Sequence, residues 1–484
     1  MKLTKLSLAM AAAMGTGLAS EAMALDLYVD TKTQQIYAEP GIGRVKLGAF
    51  ERVEDTASQK AEIEQIKQDL ALKNNELKAL DEHMKEAEQV KIKMGKKGVE
   101  FESADKDFKF RIGGRIHADA NYSTGDSDLV NRGTTTPVEA TDGTEIRRAR
   151  MEMVGTFWKD WQFKSQFDFS DNKVGVKDLF VSYHGIKDWA VTVGQQKQAF
   201  SRELQESSND LVWMERSLMD VLNAPVVDRA IGVNVGTFHK DWTGQLGFYG
   251  DTIAANGEQG VEGWGVNSRW TFAPINEKKK VVHLGIAGNY REPSDAGNVN
   301  DHGLRFRAET DHMSNLYLVD THSMLSNDVN NISSLGLEAN VLYGPFYAGG
   351  EFTEMWVTRN DGQPDANFNG WYAEAAYTLT GESRKYKKGK FYKVSPKNRF
   401  SLKNGGWGAW EVASRISGVD LNSGNVQGGE ETLLTLGLNW YLNDNIRFLA
   451  DYNYAFNFDN PAVTTNTGGD PNVSTFSFRT QLAF

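Results

Sequence analysis

The chain has 484 residues, 40% of them hydrophobic and 24% charged, which is enough for one large barrel or for roughly two to three soluble domains. It contains no cysteine, and this excludes disulfides and thiolate metal sites. The formal net charge of −11 argues against a nucleic-acid binder, because such proteins are usually basic.

Residues 1–24 have the three parts of a cleavable signal peptide in the right order. Lys2 and Lys5 give a positive start, residues 6–19 are apolar and small, and Ala22-Met23-Ala24 has the small-x-small pattern of a cleavage site. An ordinary N-terminal helix is the alternative. Export predicts that residues 25–54 form an N-terminal periplasmic segment.

Residues 55–94 are predicted to form a coiled-coil helix. Apolar side chains recur at the a and d positions of one heptad frame, and Lys73 is the one polar residue in this seam. A single amphipathic helix packed on a domain is the alternative, but the narrow seam favours self-association. Gly95 and Gly98 are expected to end the helix, and residues 95–107 to form a linker. The seam consists of Ile63, Ile66, Leu70, Leu77, Leu80, Met84 and Ala87.

Residues 108–484 have the pattern of a transmembrane β-barrel. No stretch after residue 24 has the about 18 consecutive apolar residues of a transmembrane helix, so the chain can cross a membrane only as a closed barrel. Short segments alternate between apolar and polar residues, as in Leu434, Leu436 and Leu438 against Thr435 and Gly437.

Sixteen antiparallel strands are expected, with both ends of the barrel chain on the periplasmic side. Two weaker segments, 303–310 and 315–321, would raise the number to 18. The expected strands are 108–122, 145–157, 161–169, 176–184, 189–195, 230–238, 242–250, 263–272, 281–290, 334–343, 346–357, 370–380, 408–418, 432–442, 446–455 and 475–484.

Two further features fit a barrel in the outer membrane of a Gram-negative cell. Lys-Asp-Trp occurs at 159–161, 187–189 and 240–242, each time between two expected strands, and strand parity places all three turns on one side. Their tryptophans would lie in an interfacial aromatic girdle. The last strand ends on Phe484, which resembles the recognition signal of outer-membrane barrels.

Several sequence blocks, in one order from residue 108 to 484, resemble the phosphate-selective porin O/P family. Together they are more specific than any single block. They are Phe110-Arg111-Ile112-Gly113-Gly114-Arg115-Ile116, Arg147-Arg148-Ala149, Lys177-Asp178, Ser207-Ser208, Met214-Glu215-Arg216, Val281-Val282-His283-Leu284-Gly285, Ala376-Tyr377-Thr378-Leu379-Thr380-Gly381-Glu382 and Gly408-Ala409-Trp410-Glu411.

The resemblance implies a homotrimer of 16-stranded barrels with loops folded into each pore. It implies a water-filled, anion-selective channel for phosphate or related oxyanions, with an arginine ladder leading to a lysine-lined constriction. It favours 16 strands over 18, with 303–321 in a long inward-folded loop. The substrate pathway is then expected to include Arg115, Arg147, Arg148, Asp178, Arg202, Arg216, Arg305 and Arg307.

Arginine suits oxyanions because its planar fork donates two parallel hydrogen bonds. Arg147 and Arg148 are adjacent, so a regular strand would send only one of them into the lumen, whereas a β-bulge can present both. One position departs from the family. Its central constriction lysine falls on Leu204, with Arg202 two residues away as a substitute and Glu203 and Glu206 adding negative charge.

Residues 383–403 carry nine Lys and Arg residues and no acidic residue. Strand parity places them on the periplasmic side, as a positive vestibule for anions, a docking surface for a partner, or a solvated turn.

No enzyme motif is present: the histidines lack metal-ligand spacing, and no Gly-x-Ser-x-Gly elbow occurs. Neither a cofactor nor a metal is expected. The alternatives to an anion-selective porin are a weakly selective porin and an envelope tether in which the pore is secondary. The expected partners are further copies of the chain, outer-membrane lipid and lipopolysaccharide, and small anions such as phosphate. For the coiled coil, peptidoglycan or a periplasmic protein is an open alternative, and no nucleic acid is expected.

Overall fold

The computed structural model describes residues 25–50, 57–87, 90–124, 129–131, 134–253, 262–293, 304–322, 325, 329–360, 362–460, 463–466 and 472–484. The predicted signal peptide, residues 1–24, lies outside the described residues. The chain divides between Ala87 and Glu88 into two compact units.

The first unit contains a small antiparallel sheet and one helix. The sheet has its first strand in the middle, and its strands are Leu25–Asp30, Ile36–Tyr37 and Arg44–Phe50. The helix, α1, spans Ala57–Ala87 and lies within the predicted helical segment 55–94. Its assembly into a coiled coil stays a prediction. No helix in the described part of the chain is both long and apolar enough to cross a membrane.

The second unit is a closed antiparallel barrel of sixteen strands, which confirms the predicted fold class. The barrel strands, numbered in chain order, are β1 Phe108–Thr124, β2 Gly143–Phe157, β3 Trp161–Asp168, β4 Gly175–Tyr183, β5 Trp189–Lys197, β6 Arg229–Phe238, β7 Trp242–Tyr249, β8 Trp264–Glu277, β9 Lys280–Glu292, β10 Val329–Tyr343, β11 Phe346–Arg359, β12 Ala366–Thr378, β13 Ala409–Ser423, β14 Val426–Tyr441, β15 Ile446–Asp459 and β16 Val473–Ala483.

The barrel closes where its last strand meets its first. β16 pairs with β1 from Ser474 opposite Thr124 to Ala483 opposite Arg115. Beyond the strand end, Gly114 N donates to Phe484 O at 2.7 Å and Phe484 N donates to Gly114 O at 3.0 Å. In the described part of the chain the two weaker segments pair with each other, as Arg307–Glu309 and Tyr317–Asp320, and not with a barrel strand, which explains why they add no strand to the barrel.

A β-hairpin replaces the predicted end of the helix and the predicted linker. Its strands are Val90–Gly95 and Gly98–Ser103, and the second one pairs with the start of β1. The physical reason lies in the sequence: Val90 and Ile92 alternate with lysines, and β-branched residues at a period of two favour a strand over a helix.

The end of the barrel that holds the start of β1 and the end of β16 is called the terminal end, and the opposite end the far end. All three Lys-Asp-Trp turns lie at the terminal end, as predicted. Trp161, Trp189 and Trp242 begin β3, β5 and β7 with exposed side chains on the outer surface. Outward residues of the strands are largely apolar and inward residues largely polar, which is the pattern of a membrane barrel with an aqueous interior.

Three long connections pack into the lumen. The constriction loop, residues 198–228, contains the helices α2 Arg202–Gln205 and α3 Asp220–Val227. The outer loop, residues 293–328, of which 293, 304–322 and 325 are described, also leaves the far end and carries the two-stranded sheet at 307–320. The inserted segment, residues 379–408, enters from the terminal end and forms the hairpin Lys385–Lys387 and Lys390–Tyr392.

An apolar core holds the two far-end loops together on one side of the lumen. Phe200 and Leu204 of the constriction loop pack with Phe306 and Leu318 of the outer loop, and inward residues of β9 to β16 also belong to the cluster. This apolar core, called the plug, lies beside β9 to β16, and a cavity lies beside β1 to β7. Two smaller elements are the 3-10 turn Ser170–Asn172 and the paired strands Leu129–Asn131 and Val463–Thr465.

We expect the Gly389→Ala substitution to lower the free energy of unfolding more than Gly405→Ala does. Both glycines have a φ of +69°, so both changes impose the same left-handed strain. At Gly389 the new Cβ would also lie 2.9 Å from Thr271 Oγ1 on the barrel wall, whereas Gly405 has nothing within 4 Å.

Overpacking of this kind costs about 1–3 kcal/mol. Urea titration of both variants in lipid vesicles measures the difference. Equal losses would show that the hairpin does not press on the wall.

Candidate functional site

The lumen contains a cavity of about 430 Å³ beside the plug. Its walls come from β1 to β7, from the constriction loop and from the hairpin of the inserted segment. Because β4 runs from the far end to the terminal end, Lys177 and Ser182 on that strand mark the two ends of the cavity wall. The cavity therefore extends along the barrel axis.

The cavity lining is strongly positive. Ten of its residues are cationic and two are carboxylates, Asp178 and Asp228. The cations come from six strands, the constriction loop and the inserted segment. They are Arg115, Arg148, Arg150, Lys164, Lys177, Lys197, Arg216, Arg229, Lys388 and Lys390.

Arg115 lies where the sequence places it, on the lumen face of β1. Its guanidinium donates to Ser207 Oγ at 3.2 Å and to Ser208 Oγ at 2.8 Å. The paired serines of the constriction loop therefore orient a cation at the cavity wall without neutralising its charge.

A β-bulge brings both Arg147 and Arg148 to the same carboxylate. In the pairing of β2 with β1, Arg148 lies opposite His117 and Ile146 opposite Ala118, so Arg147 is the extra residue. Arg148 donates to both oxygens of Glu215 at 2.8 and 2.9 Å, and Arg147 Nε donates to the same group at 3.2 Å. Of the two, Arg148 lines the cavity.

Asp178, the expected constriction carboxylate, lies in the cavity wall between two cations. Lys164 Nζ is 2.7 Å from its Oδ2, and Arg229 Nε donates to its Oδ1 at 2.8 Å. Arg216 also lines the cavity, and its Nε donates to the backbone oxygen of Glu203 at 3.0 Å. The structure thus brings Arg115, Arg148, Asp178 and Arg216 to one cavity.

Arg202 does not take the place of the missing constriction lysine, which corrects the sequence-based expectation. It is buried behind the loop, where it donates to Glu206 at 2.8 Å, to Glu374 at 2.9 Å and to the hydroxyl of Tyr372. The guanidinium is enclosed by carboxylates because a buried charge must be paired.

Glu203 of α2 and Glu206, which follows the helix, are not among the residues that line the cavity. Glu203 accepts from Ser217 N at 3.0 Å and from Ser217 Oγ at 2.7 Å. Burial raises the pKa of Glu203 to about 8. Glu351 of β11 accepts from Ser201 Oγ and from the backbone N of Arg202 and of Glu203, at 2.7, 2.8 and 2.8 Å. These contacts hold the loop against the wall.

Arg305 and Arg307 lie on the outer loop and not on the described wall of the cavity. Arg305 Nε donates to Asp320 Oδ1 at 2.7 Å within the same small sheet. The guanidinium of Arg307 lies 4.4 Å from the ring centre of Tyr317. The loop folds inward as expected, but its apolar side chains enter the lumen and these two arginines remain on its more exposed face.

Two lysines from outside the constriction loop bind its backbone around Leu204. Leu204 is fully buried in the apolar core. The carbonyl oxygens of Leu204 and Glu206 accept from Lys197 Nζ at 2.6 and 2.8 Å, and that of Gln205 accepts from Lys390 Nζ at 3.2 Å. Burial lowers the pKa of Lys390 to about 8.

The cavity is also lined by Lys197, Lys164 and Lys177, which were not among the pathway residues predicted from the sequence. Lys164 carried a usable signal, because it lies on the polar face of β3 with Gln162 and Gln166. Lys388 and Lys390 belong to the basic segment 383–403, and they give it a place inside the pore.

One histidine joins a group of ionisable side chains near Glu215. His312 Nε2 of the outer loop is 2.8 Å from Asp119 Oδ2 and 3.0 Å from Glu145 Oε1. The ligand atoms of Asp119, Glu215 and His312 lie within 4.8 Å of one another. Arg479 already binds both carboxylates, through contacts of 2.5 Å and 2.7 Å, so these residues form an ion-pair network and not a vacant metal site.

We expect His312 to make the stability of the protein depend on pH. Burial alone would lower the pKa of His312, but Asp119 and Glu145 raise it to about 9. A histidine with a raised pKa contributes stability that is complete below its ordinary value of about 6.5 and is lost as the pH rises through about 9.

Thermal unfolding followed between pH 6 and pH 10 checks this. The His312→Gln variant should lose most of the fall in midpoint that the unchanged protein shows in that window. His322→Gln, on the exposed part of the same loop, serves as the matched control. Identical pH profiles for all three proteins would contradict the expected role of His312.

Comparison with known proteins gives matches along most of the chain. The family model described as phosphate-selective porin O and P matches residues 110–484. Porin O of Pseudomonas aeruginosa is 30% identical over 425 residues, covering 80% of this chain and 91% of that protein. A Caulobacter vibrioides protein is 30% identical over 397 residues, covering 80% of this chain and 76% of that one. A solved anion-selective porin from Comamonas acidovorans gives a TM-score of 0.49 at 12% identity, over 78% of this chain and 100% of that chain.

Proposed function

This chain belongs to the phosphate-selective porin O and P family and forms a channel in the Gram-negative outer membrane; we propose that the channel prefers anions, and among them phosphate or related oxyanions. The proposal rests on the charge of the cavity of about 430 Å³, which is lined by ten cationic residues and two carboxylates. Fixed positive charge along a narrow aqueous path favours anions and repels cations.

The cations are spread along the path, which suits conduction. Lys177 lies near the far end, Arg115 and Lys197 lie beside the constriction loop, and Lys388 and Lys390 come from the segment inserted at the terminal end. An anion can then move between neighbouring sites without being held at one of them. Strand parity assigns the terminal end to the periplasm, so the proposed direction of uptake is from Lys177 toward Lys388.

The side chains around the cations support an oxyanion as the preferred solute. Serine, threonine and glutamine side chains line the cavity between the charged groups, including Ser207, Ser208 and Thr192. Phosphate offers several acceptor oxygens, and guanidinium forks with adjacent hydroxyl and amide donors match them better than they match chloride.

A weakly selective porin is the alternative, and one observation favours it. Several of the expected pathway arginines are paired with carboxylates: Arg202 with Glu206 and Glu374, and Arg305 with Asp320. These groups add little to the field in the pore. The choice between the two functions therefore depends on the lining lysines, which carry charge directly into the cavity.

We expect the double substitution Lys388→Gln and Lys390→Gln to reduce anion preference. The matched control is Lys385→Gln with Lys387→Gln, which removes the same charge from the exposed positions of the same hairpin. The measurement is the zero-current potential of purified protein in a planar bilayer under a potassium chloride gradient, followed by block of the chloride current with added phosphate.

In the first variant the half-blocking phosphate concentration should rise about tenfold, which corresponds to about 1.4 kcal/mol. The control should stay close to the unchanged protein. A cation-selective or near-zero potential in the unchanged protein would overturn the proposed selectivity.

We further propose that α1 associates with α1 of other copies of the chain, as expected for the homotrimer. Five large apolar residues of the seam are 47% to 64% exposed in the single chain: Ile63, Ile66, Leu70, Leu77 and Leu80. A helix gains stability when such a seam is buried against identical helices. Attachment to peptidoglycan or to a periplasmic protein, as in the tether hypothesis, would need the seam or the polar faces to bind a different partner.

A single cysteine at Leu80 should cross-link the chain to a second copy under mild oxidation. In a parallel coiled coil, a d-position residue faces its equivalent on the neighbouring helix. The matched control is Leu72→Cys, because Leu72 is equally apolar and 63% exposed but lies off the seam. The chain has no native cysteine, so a covalent dimer on a non-reducing gel reports this contact alone. Absence of the dimer in Leu80→Cys would argue against self-association.

The apolar outer wall of the barrel supports the remaining partner proposal, contact with outer-membrane lipid and lipopolysaccharide. Outward residues such as Leu246, Phe272 and Phe478 are about half exposed in the isolated chain. Hydrocarbon chains would cover this surface in a membrane.

A further inference from the structure

Three arginines of the barrel wall converge on one carboxylate of the constriction loop. Arg148 donates to both oxygens of Glu215 at 2.8 and 2.9 Å. Arg479 of β16 donates to Oε1 at 2.7 Å, and Arg147 donates at 3.2 and 3.5 Å. The side chains come from two strands and a loop far apart in sequence, so the barrel wall and the loop assemble the cluster together.

The chemistry of this cluster is that of an oxyanion site. Guanidinium groups bind carboxylate and phosphate oxygens with the same forked geometry. Three guanidiniums surround this carboxylate, although Arg479 is shared with Asp119 and Arg147 Nε also lies 3.8 Å from Glu145 Oε1. The side chain of Glu215 therefore stands where a phosphate or another small oxyanion would bind the same donors.

The cluster is partly exposed to solvent, and one of its arginines reaches the cavity. Arg148 lines the cavity, the side chain of Arg147 is 36% exposed and that of Glu215 is 27% exposed. Arg479 is only 1% exposed and is also held by Asp119, so it forms the fixed back of the site. The weakest contacts to Glu215 are those of Arg147, which is also the most exposed of the three arginines.

Glu215 stays ionised under all physiological conditions. Burial would raise the pKa of this carboxyl, but Arg147, Arg148 and Arg479 hold it well below its ordinary range. The carboxylate is thus a permanent negative occupant and not a group that leaves by protonation.

We propose that Glu215 is an internal ligand that occupies an oxyanion-binding site formed by Arg147, Arg148 and Arg479. It lowers the affinity of this site for permeating phosphate and so prevents the anion from being trapped beside the constriction. Phosphate competes with Glu215 first for the exposed Arg147. The inference rests on the proposed function, since it assigns to one residue the control of how tightly an anion is held in that pore.

The test is the block of chloride current by inorganic phosphate in the full-length Glu215→Gln protein. Removal of the carboxylate frees Arg148 and the contacts that Arg147 and Arg479 make to Glu215, while Arg479 stays held by Asp119. The half-blocking phosphate concentration should fall at least about tenfold relative to the unchanged protein. Adding Arg147→Gln to this variant should reverse most of the gain, because it removes the arginine that phosphate reaches first.

Asp210→Asn is the matched control. Asp210 lies on the same loop, and its carboxylate accepts from the backbone N of Lys393 at 3.3 Å and not from an arginine in the described hydrogen bonds. The control removes the same charge without freeing a guanidinium, so the phosphate block should change less than about threefold. An equal gain in Asp210→Asn would show a general effect of charge and would overturn the inference.

Folding of each variant is checked by the heat-dependent shift in gel mobility typical of barrels. If Glu215→Gln does not fold, Glu215→Asp provides the second variant. It keeps the charge but is one methylene shorter, so it cannot reach all three arginines, and phosphate block should strengthen about threefold. An unchanged or weaker block in a folded variant would overturn the inference.

The outcomes also separate this inference from the proposed function. An anion-selective unchanged protein with an unaffected Glu215→Gln variant would reject the role of Glu215 and keep the porin proposal. An unselective unchanged protein whose Glu215→Gln variant is blocked by phosphate would reject the selectivity and keep the arginine site.

Discussion

The hydrogen bonds that join β16 to β1 are the constraint on which the rest of the structure depends. In a hydrocarbon environment an unpaired strand edge leaves backbone N–H and C=O groups without partners, so the sheet must close. The pairing of β1 with β2 on one edge and with β16 on the other meets this need. The hairpin at 90–103 pairs with the start of β1, which β16 does not reach. Closure fixes which residues face the lumen and which face lipid.

A closed barrel of sixteen strands encloses more space than its own inward side chains can fill. Loops from opposite ends of the barrel fill the difference. The constriction loop and the inserted segment meet inside the lumen, where Phe391 N donates to Glu206 at 2.9 Å and Lys390 donates to Gln205. The apolar plug occupies one side, and the cavity is what remains beside β1 to β7. The cavity is therefore confined to one side of the lumen because the apolar plug fills the other side.

The same packing divides the positive charges into two groups. Cations inside the plug or at its edge have to be paired, since an unpaired buried charge is costly, and Arg202, Arg384 and Arg269 each meet a carboxylate. On the cavity side, Arg115, Lys197 and Lys390 donate to hydroxyl or carbonyl oxygens and keep their charge for solutes. Other cations there are paired, such as Lys164 and Arg229 with Asp178. Leu204 lies in the apolar plug. The cavity side receives its positive charge there from lysines of β5 and of the inserted segment. The loss of one lysine from the loop thus leaves a positive constriction.

The sequence by itself determined the barrel. Period-two alternation, Lys-Asp-Trp turns of one parity and the blocks shared with one porin family gave sixteen strands, the inward outer loop and the lumen position of Arg115. These features follow from local sequence patterns. Closure of the barrel then fixes which face of each strand points to the lumen. Only the tertiary structure decided which charges are paired, because the partners are far apart along the chain: Arg479 and Glu215 are separated by 264 residues. It also turned 90–103 from a predicted linker into a hairpin and placed Arg202 behind the loop. Alternation tells which face a side chain occupies, but the partner that it meets across a lumen depends on loops whose course no local period encodes.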